Sequence, residues 1–261
     1  MATAEMNYWL DESCARAFWD QNQAIPYQEL LRHTAAWLEP GPGESWLDLG
    51  CGAGRLTAEL WRLASGRLAA ITALDCNPAN GAAIAALRQR LHPTPRVDQL
   101  RHVVGNFSDG LPQFADSTFD GVVSGLAISY AESKDPATGR YTDRAYNRLL
   151  AEICRVLRPG GRLVFSVNVP RPGFWRIFWK SLRGVWKMSR PLRALRNGLR
   201  MQWYGHWLRR QAALGRFHYL PIEQIGDRLD AAGFVTWRYR LSYAGQAYLI
   251  DARKAAVKQA T

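Results

Sequence analysis

The sequence predicts an α/β fold, a mostly parallel sheet with helices on both faces, and three observations carry that expectation. Short apolar runs of strand length alternate with helical stretches from about residue 44 to residue 169. A glycine-rich turn, Gly50-Cys51-Gly52-Ala53-Gly54, stands where the first of these runs gives way to a helix. With 261 residues, 48% of them hydrophobic, the chain is long enough for one well-filled domain plus an insertion rather than two full domains.

The elements follow in order. Residues 7–39 read as helical, with Trp9, Phe18, Trp19, Tyr27, Leu30, Leu31, Trp37 and Leu38 forming an apolar face, and Pro40-Gly41-Pro42-Gly43 stops them. Ser45-Trp46-Leu47 opens the first strand, and a helix runs from about Ala53 to Ala64. Ala69 to Leu74 is a second strand ending at Asp75, followed by an alanine-rich helix from Pro78 to Leu91. Arg101 to Val104 and Phe119 to Ser124 supply a third and fourth strand, short and apolar as buried parallel strands are. Tyr141 to Leu157 is a helix, Arg158-Pro159-Gly160-Gly161 a turn, and Arg162 to Val169 a fifth strand. Pro221 to Ala232 is a closing helix, and Phe234 to Leu241 with Gln246 to Asp251 make a final strand pair. The chain thus divides into an N-terminal helical region (1–43), a core (44–169), a basic insertion (170–220) and a closing helix with hairpin (221–256).

Composition narrows the class. No apolar run approaches the roughly 20 residues that cross a bilayer. The first thirteen residues carry Glu5, Asp11 and Glu12 rather than a basic region ahead of an apolar one, so no secretory signal is expected and the expected location is cytoplasmic. Cys14, Cys51, Cys76 and Cys154 are scattered, with neither C-x-x-C pairs nor histidine clusters, so free thiols and no metal are expected. The net charge of +12 belongs to one stretch: residues 171–216 hold twelve Lys/Arg and no Asp/Glu, leaving 22 cationic residues to balance 22 acidic ones elsewhere.

The glycine turn carries the chemistry. Glycines let a backbone turn sharply and approach a ligand, and the helix behind them offers free N–H groups. A dinucleotide fingerprint G-x-G-x-x-G counted from Gly50 needs glycine at 55, where the chain has Arg55, and no Gly-Lys-Ser/Thr of a Walker loop follows. Asp48, two residues before Gly50, would repel a pyrophosphate but suits a ligand with a cationic end. Asp75, 25 positions after Gly50, closes the second strand where a carboxylate can accept bonds from both hydroxyls of a ribose.

Asp48-Leu49-Gly50-Cys51-Gly52-Ala53-Gly54 resembles motif I, D-x-G-x-G-x-G, of the class I S-adenosylmethionine-dependent methyltransferases, in the small-molecule branch of types 11 and 25, with a looser similarity to quinone and lipid methyltransferases. Asp75, Gly105-Asn106-Phe107, Phe119 to Ser124 and Leu157 to Gly161 resemble the family's later landmarks in order, over roughly residues 27–169, with a looser match at 221–253. The resemblance implies a Rossmann-like seven-stranded sheet of order 3-2-1-4-5-7-6 and S-adenosylmethionine as cofactor. It implies cofactor contacts at Asp48, near the methionine ammonium, and at Gly50, Cys51, Gly52, Asp75, Cys76, Asn106, Phe107 and Ser124. Asn106 stands where Asp is commoner, though its carbonyl can still accept a bond from the adenine amino group, and Phe107 can lie against the adenine face. The implied chemistry is in-line attack by an acceptor N, O, S or C on the sulfonium methyl, which positioning can drive with no general base.

The acceptor is read from the basic segment. At about 100° per residue, Phe174, Trp175, Phe178, Trp179, Leu182, Val185 and Trp186 fall in one sector and Arg176, Lys180, Arg183, Lys187 and Arg190 in an adjoining one. After Pro191, Leu192, Leu195, Leu199 and Trp203 repeat the apolar spacing beside Arg193, Arg196 and Arg200. Such a cationic, Trp-rich helix suits an anionic membrane interface, so the expectation is a methyltransferase peripheral on the inner membrane face, acting on a quinone, phospholipid-like or amino-lipid acceptor. A soluble acidic small molecule, RNA and a non-catalytic binding module remain alternatives. The Asn/Asp-Pro-Pro-aromatic tetrapeptide of amino-methylating nucleic-acid enzymes is replaced by Ser124-Gly125-Leu126-Ala127. Tyr130, Tyr27, His33, His206, His218 and Tyr219 are candidates to face the acceptor, and none is assigned as a base.

Overall fold

Alternating apolar strands become a sheet buried on both faces. The computed structural model describes Trp9, residues 25–173 and residues 205–256. Seven strands form the large sheet: β1 (Ser45–Leu49), β2 (Ala70–Asp75), β3 (Leu100–Val104), β4 (Phe119–Gly125), β5 (Leu157–Asn168), β6 (Phe234–Ser242) and β7 (Ala247–Lys254). Their order is β3-β2-β1-β4-β5-β7-β6, parallel from β3 to β5, with β7 antiparallel to both β5 and β6. That is the expected Rossmann-like class and the expected order among these seven strands; an unexpected ribbon, Ser133–Lys134 against Tyr141–Thr142, is a separate two-stranded sheet.

Side-chain alternation splits the core. Leu47 and Leu49 of β1, Val122 of β4 and Phe165 of β5 pack on one face with α4 (Arg144–Val156) and α5 (Ile222–Ala231). Trp46, Val123 and Val164 pack on the other with α2 (Arg55–Leu63) and α3 (Asn80–Arg90). Burial on both faces is why these strands read as largely apolar stretches rather than alternating apolar and polar residues. Trp46 also dictates a glycine opposite, because a Cβ on Gly121 would lie 2.5 Å from its indole.

Of the helix expected over 7–39, the described part is α1 (Ile25–Leu38), whose Pro26, Leu30, Thr34 and Leu38 are buried at four-residue spacing. Its end is pinned by Arg162 of β5, which is 6% exposed and donates to the Trp37 and Leu38 carbonyls at 3.0 and 2.8 Å. The turn expected at 158–161 interrupts a longer strand instead. Leu157 pairs with Phe119 and Arg162 with Gly121, so the intervening residues bulge, with Gly160 at φ 76° and Arg158 paired to Asp120 at 2.6 Å. The basic stripes of 174–203 lie outside the described residues; residues 205–213 at the end of that insertion are helical.

Candidate functional site

Chain order reverses direction between β1 and β4, and a cavity opens there beyond the carboxyl ends of the parallel strands, where doubly wound sheets place ligands. Its floor is the glycine turn. Gly50, Gly52 and Gly54 all have positive φ (74°, 49° and 79°), but they serve two different ends. A Cβ on Gly50 would strike Ala127 at 2.4 Å, and one on Gly54 would strike Ile84 and Leu87 of α3 at 2.6 and 2.7 Å. A Cβ on Gly52 would meet nothing within 4 Å. Gly50 and Gly54 therefore serve close packing, while Gly52 presents bare backbone to open space.

The turn is tied to β2. Gly50 and Cys51 donate to the Leu74 carbonyl at 2.8 and 3.0 Å, and Gly52 N–H donates to Asp75 Oδ2 at 2.9 Å. Asp75 Oδ1 accepts from Asn77 N–H, also at 2.9 Å. Each oxygen keeps a lone pair, so the carboxylate can still accept from two adjacent hydroxyls. Asn77 in turn donates to the Trp9 carbonyl at 3.0 Å, which ties Trp9 to the end of β2.

Asp48, 1% exposed, accepts from Thr57 Oγ1 at 2.6 Å. Burial pushes its carboxyl up to about 7, against the opposing pull of Thr57. Burial likewise pushes the Cys76 thiol up to about 12 and raises that of Cys51, with nearby carboxylates adding to both, so these thiols stay protonated at neutral pH. Asn106 caps the short turn after β3, its Oδ1 accepting from Ser108 N–H at 3.0 Å, and Phe107 packs beside Gly50.

Eight of the nine residues expected to touch cofactor line this cavity: Asp48, Gly50, Cys51, Gly52, Asp75, Cys76, Asn106 and Phe107. Ser124 does not. It is fully buried, and its hydroxyl donates to the Leu49 carbonyl at 2.7 Å inside the sheet, while Gly125, Leu126 and Ala127 line the cavity instead. Asn80 was missed by sequence reasoning: it lines the cavity, is 3% exposed, and its Oδ1 has no partner among the described residues.

Aromatic side chains make up much of the remaining lining, Trp9, Tyr27, Tyr130 and Tyr243 together with Leu208, and Trp9 lies 4.6 Å from Tyr130 between ring centroids. Tyr130 Oη lies 3.2 Å from Tyr219 Oη, and burial pushes the Tyr130 phenol up to about 12. Tyr27 is likewise pushed up to about 12, by burial and then by the charge of Asp48. The histidines face elsewhere. His218 is buried with Nε2 2.9 Å from the Ala131 carbonyl, His33 meets Ser242 at 2.8 Å, His206 is exposed, and none lines the cavity. Burial lowers the His218 pKa. Among the described residues no group of three or more His, Cys, Asp or Glu is placed to hold a metal ion, and Cys51, Cys76 and Cys154 are free thiols.

Residues 47–165 match a family model described as a methyltransferase domain. A demethylmenaquinone methyltransferase of Symbiobacterium thermophilum is 30% identical over 212 residues, spanning 78% of this chain and 73% of that protein. A malonyl-[acyl-carrier protein] O-methyltransferase of Methylococcus capsulatus is 35% identical over 136 residues, 52% of this chain and 40% of that one. Among solved structures, an S-adenosylmethionine-dependent methyltransferase from Aquifex aeolicus superposes with a TM-score of 0.57 at 14% identity, over 93% of this chain and 98% of the other, a likeness of fold alone.

Proposed function

The chain belongs to the class I S-adenosylmethionine-dependent methyltransferases, and on that premise we propose that it methylates a small, largely apolar acceptor, quinone-like or lipid-like, at a membrane surface. The observation that carries this reading is a cavity lined both by the polar glycine turn and by the aromatic rings of Trp9, Tyr27, Tyr130 and Tyr243.

The residues present fit the cofactor. Gly52 offers backbone with open space where a side chain would stand, Asp75 keeps a lone pair on each oxygen, and Asn80 carries an unmatched amide oxygen. In this reading Asp75 holds the ribose hydroxyls and Asn106 receives the adenine amino group on its remaining lone pair. Phe107 covers the adenine face, Cys51 and Cys76 flank the adenosine, and Asp48 faces the methionine ammonium. S-adenosylmethionine supplies an activated methyl group on a sulfonium centre.

The protein's own contribution is position and dryness. Trp9, Tyr27 and Tyr243 exclude water from the acceptor. Tyr130, protonated at neutral pH, orients it without removing a proton. An apolar wall suits a ring or acyl acceptor, in keeping with the quinone methyltransferase relative.

The membrane surface enters through the cationic, tryptophan-rich sequence of 174–203; no helix among the described residues is long and apolar enough to cross a membrane. Methyl-labelled cofactor is incubated with the protein and a cell extract, which is then split into organic and aqueous phases. Label in the organic phase is expected, and label confined to aqueous acids refutes the acceptor class. Co-sedimentation with anionic vesicles is expected to fall sharply when Trp175, Trp179 and Trp186 become Ser; undiminished binding refutes the membrane role.

A further inference from the structure

Beside Tyr130 the cavity holds a buried polar group that none of the described residues satisfies. Asn168 closes β5, is 3% exposed, lines the cavity, and its Oδ1 has no hydrogen-bond partner among the described residues. Buried amide oxygens are rarely left unmatched, because the lost hydration is returned by nothing. The other arm of the amide faces the hydroxyls of Tyr130 and Tyr219, which are themselves 3.2 Å apart, and pulls both phenols' pKa values down against the effect of burial. With its N–H side turned to the tyrosines, the amide keeps only an acceptor for whatever enters.

The surroundings say what that is. Trp9 and Tyr130 lie 4.6 Å apart between ring centroids, tilted by 39°, and with Phe217 behind them form a rigid aromatic wall. Among the described lining residues the one basic side chain is Arg55, beside the glycine turn, and the carboxylates are Asp48, Asp75 and Glu132, the last paired with Arg216. An acidic acceptor would meet a bare carbonyl oxygen and find no described cation at this end.

We propose that Asn168 selects the methyl acceptor, its amide carbonyl accepting a hydrogen bond from a hydroxyl carried on an aromatic ring seated against Trp9 and Tyr130. Phenol-type acceptors are thereby preferred over their O-blocked or carboxylate counterparts. This rests on the methyltransferase reading of the cavity and names the acceptor chemistry within it.

The test uses the full chain saturated with S-adenosylhomocysteine and three probes of one shape, 2-naphthol, 2-methoxynaphthalene and 2-naphthoate, with affinities read by calorimetry. Naphthol is expected to bind about tenfold tighter than either counterpart, the scale of one net hydrogen bond. Asn168→Leu is expected to bring the ratio to about one while S-adenosylhomocysteine affinity stays within about twofold. Should that variant fail to hold S-adenosylhomocysteine, Asn168→Ala replaces it with the same expectation. Tyr219→Phe, which keeps the amide carbonyl, is expected to retain the preference. Equal binding of the three probes, a preference that survives in the Asn168 variants, or one lost in Tyr219→Phe overturns the proposal. Failure of the unaltered chain to bind S-adenosylhomocysteine overturns the methyltransferase reading instead.

Discussion

Asp48 offers the sharpest quantitative test of the cofactor end. Its carboxyl is buried with one side-chain hydrogen bond, from Thr57 at 2.6 Å, and its pKa stands at about 7 against an ordinary 3.8. Keeping it ionised in the empty protein therefore costs about 4 kcal/mol relative to water. Because the folded value is the higher one, that cost is absent below about pH 4, grows through pH 4 to 7 and is complete above 7, so the empty protein loses stability as pH rises across that window. An ammonium beside Asp48 demands the charged form. Below pH 7 the affinity for S-adenosylmethionine should then fall about tenfold per pH unit, or about 20-fold in all between pH 7.5 and 5.5. Asp48→Asn should flatten that profile, bind more weakly at pH 7.5, and melt higher than the unaltered protein above pH 7 when empty. Calorimetric titration and thermal melts across pH 5.5–7.5 measure both. An unaltered chain with a flat affinity profile, or an Asn variant with the same slope, refutes the assignment of Asp48 to the ammonium.

Four further outcomes follow from the geometry around it. Gly54→Ala places a methyl 2.6 Å from Ile84 and 2.7 Å from Leu87 at a positive φ and should lower stability by about 2–3 kcal/mol. Gly52→Ala, with open space around its Cβ, should cost only about 1 kcal/mol in melting but weaken cofactor binding at least tenfold, so the two variants separate packing from binding. Asp75→Ala removes the acceptor for the Gly52 and Asn77 N–H groups and should lower cofactor affinity by about 100-fold, read by equilibrium binding. Ser124→Ala should leave that affinity within about twofold while costing about 1–2 kcal/mol in a melt, because its hydroxyl serves the Leu49 carbonyl; a large loss of binding would return Ser124 to the site.

The donor end and the sheet were legible in sequence because both are written locally. Apolar runs at Trp46–Leu49, Ile71–Leu74 and Val122–Val123 each declare a strand buried on both faces, and a positive-φ glycine turn directly after the first is a backbone requirement that no distant residue alters. Asp75 and Asn106 were found by their places at strand ends. Ser124 was misread for the same reason: strand-end position does not say which face a side chain takes, and its hydroxyl points into the sheet.

The aromatic part of the cavity, where the acceptor is proposed to sit, has no complete local signature. Tyr27 and Tyr130 were among the sequence candidates, but Trp9, Asn168, Leu208 and Tyr243, strewn across the chain, are not marked out by their neighbours in sequence. Only packing α1, the turn after β4, the end of β5, the helical 205–213 stretch and the β6–β7 turn over one strand reversal brings them together. Strand class, glycine geometry and the carboxylates that line the cavity thus follow from residues within a few positions of one another. The aromatic wall, the unmatched Asn168 carbonyl and the raised Asp48 pKa come from burial among distant segments, which no local pattern contains.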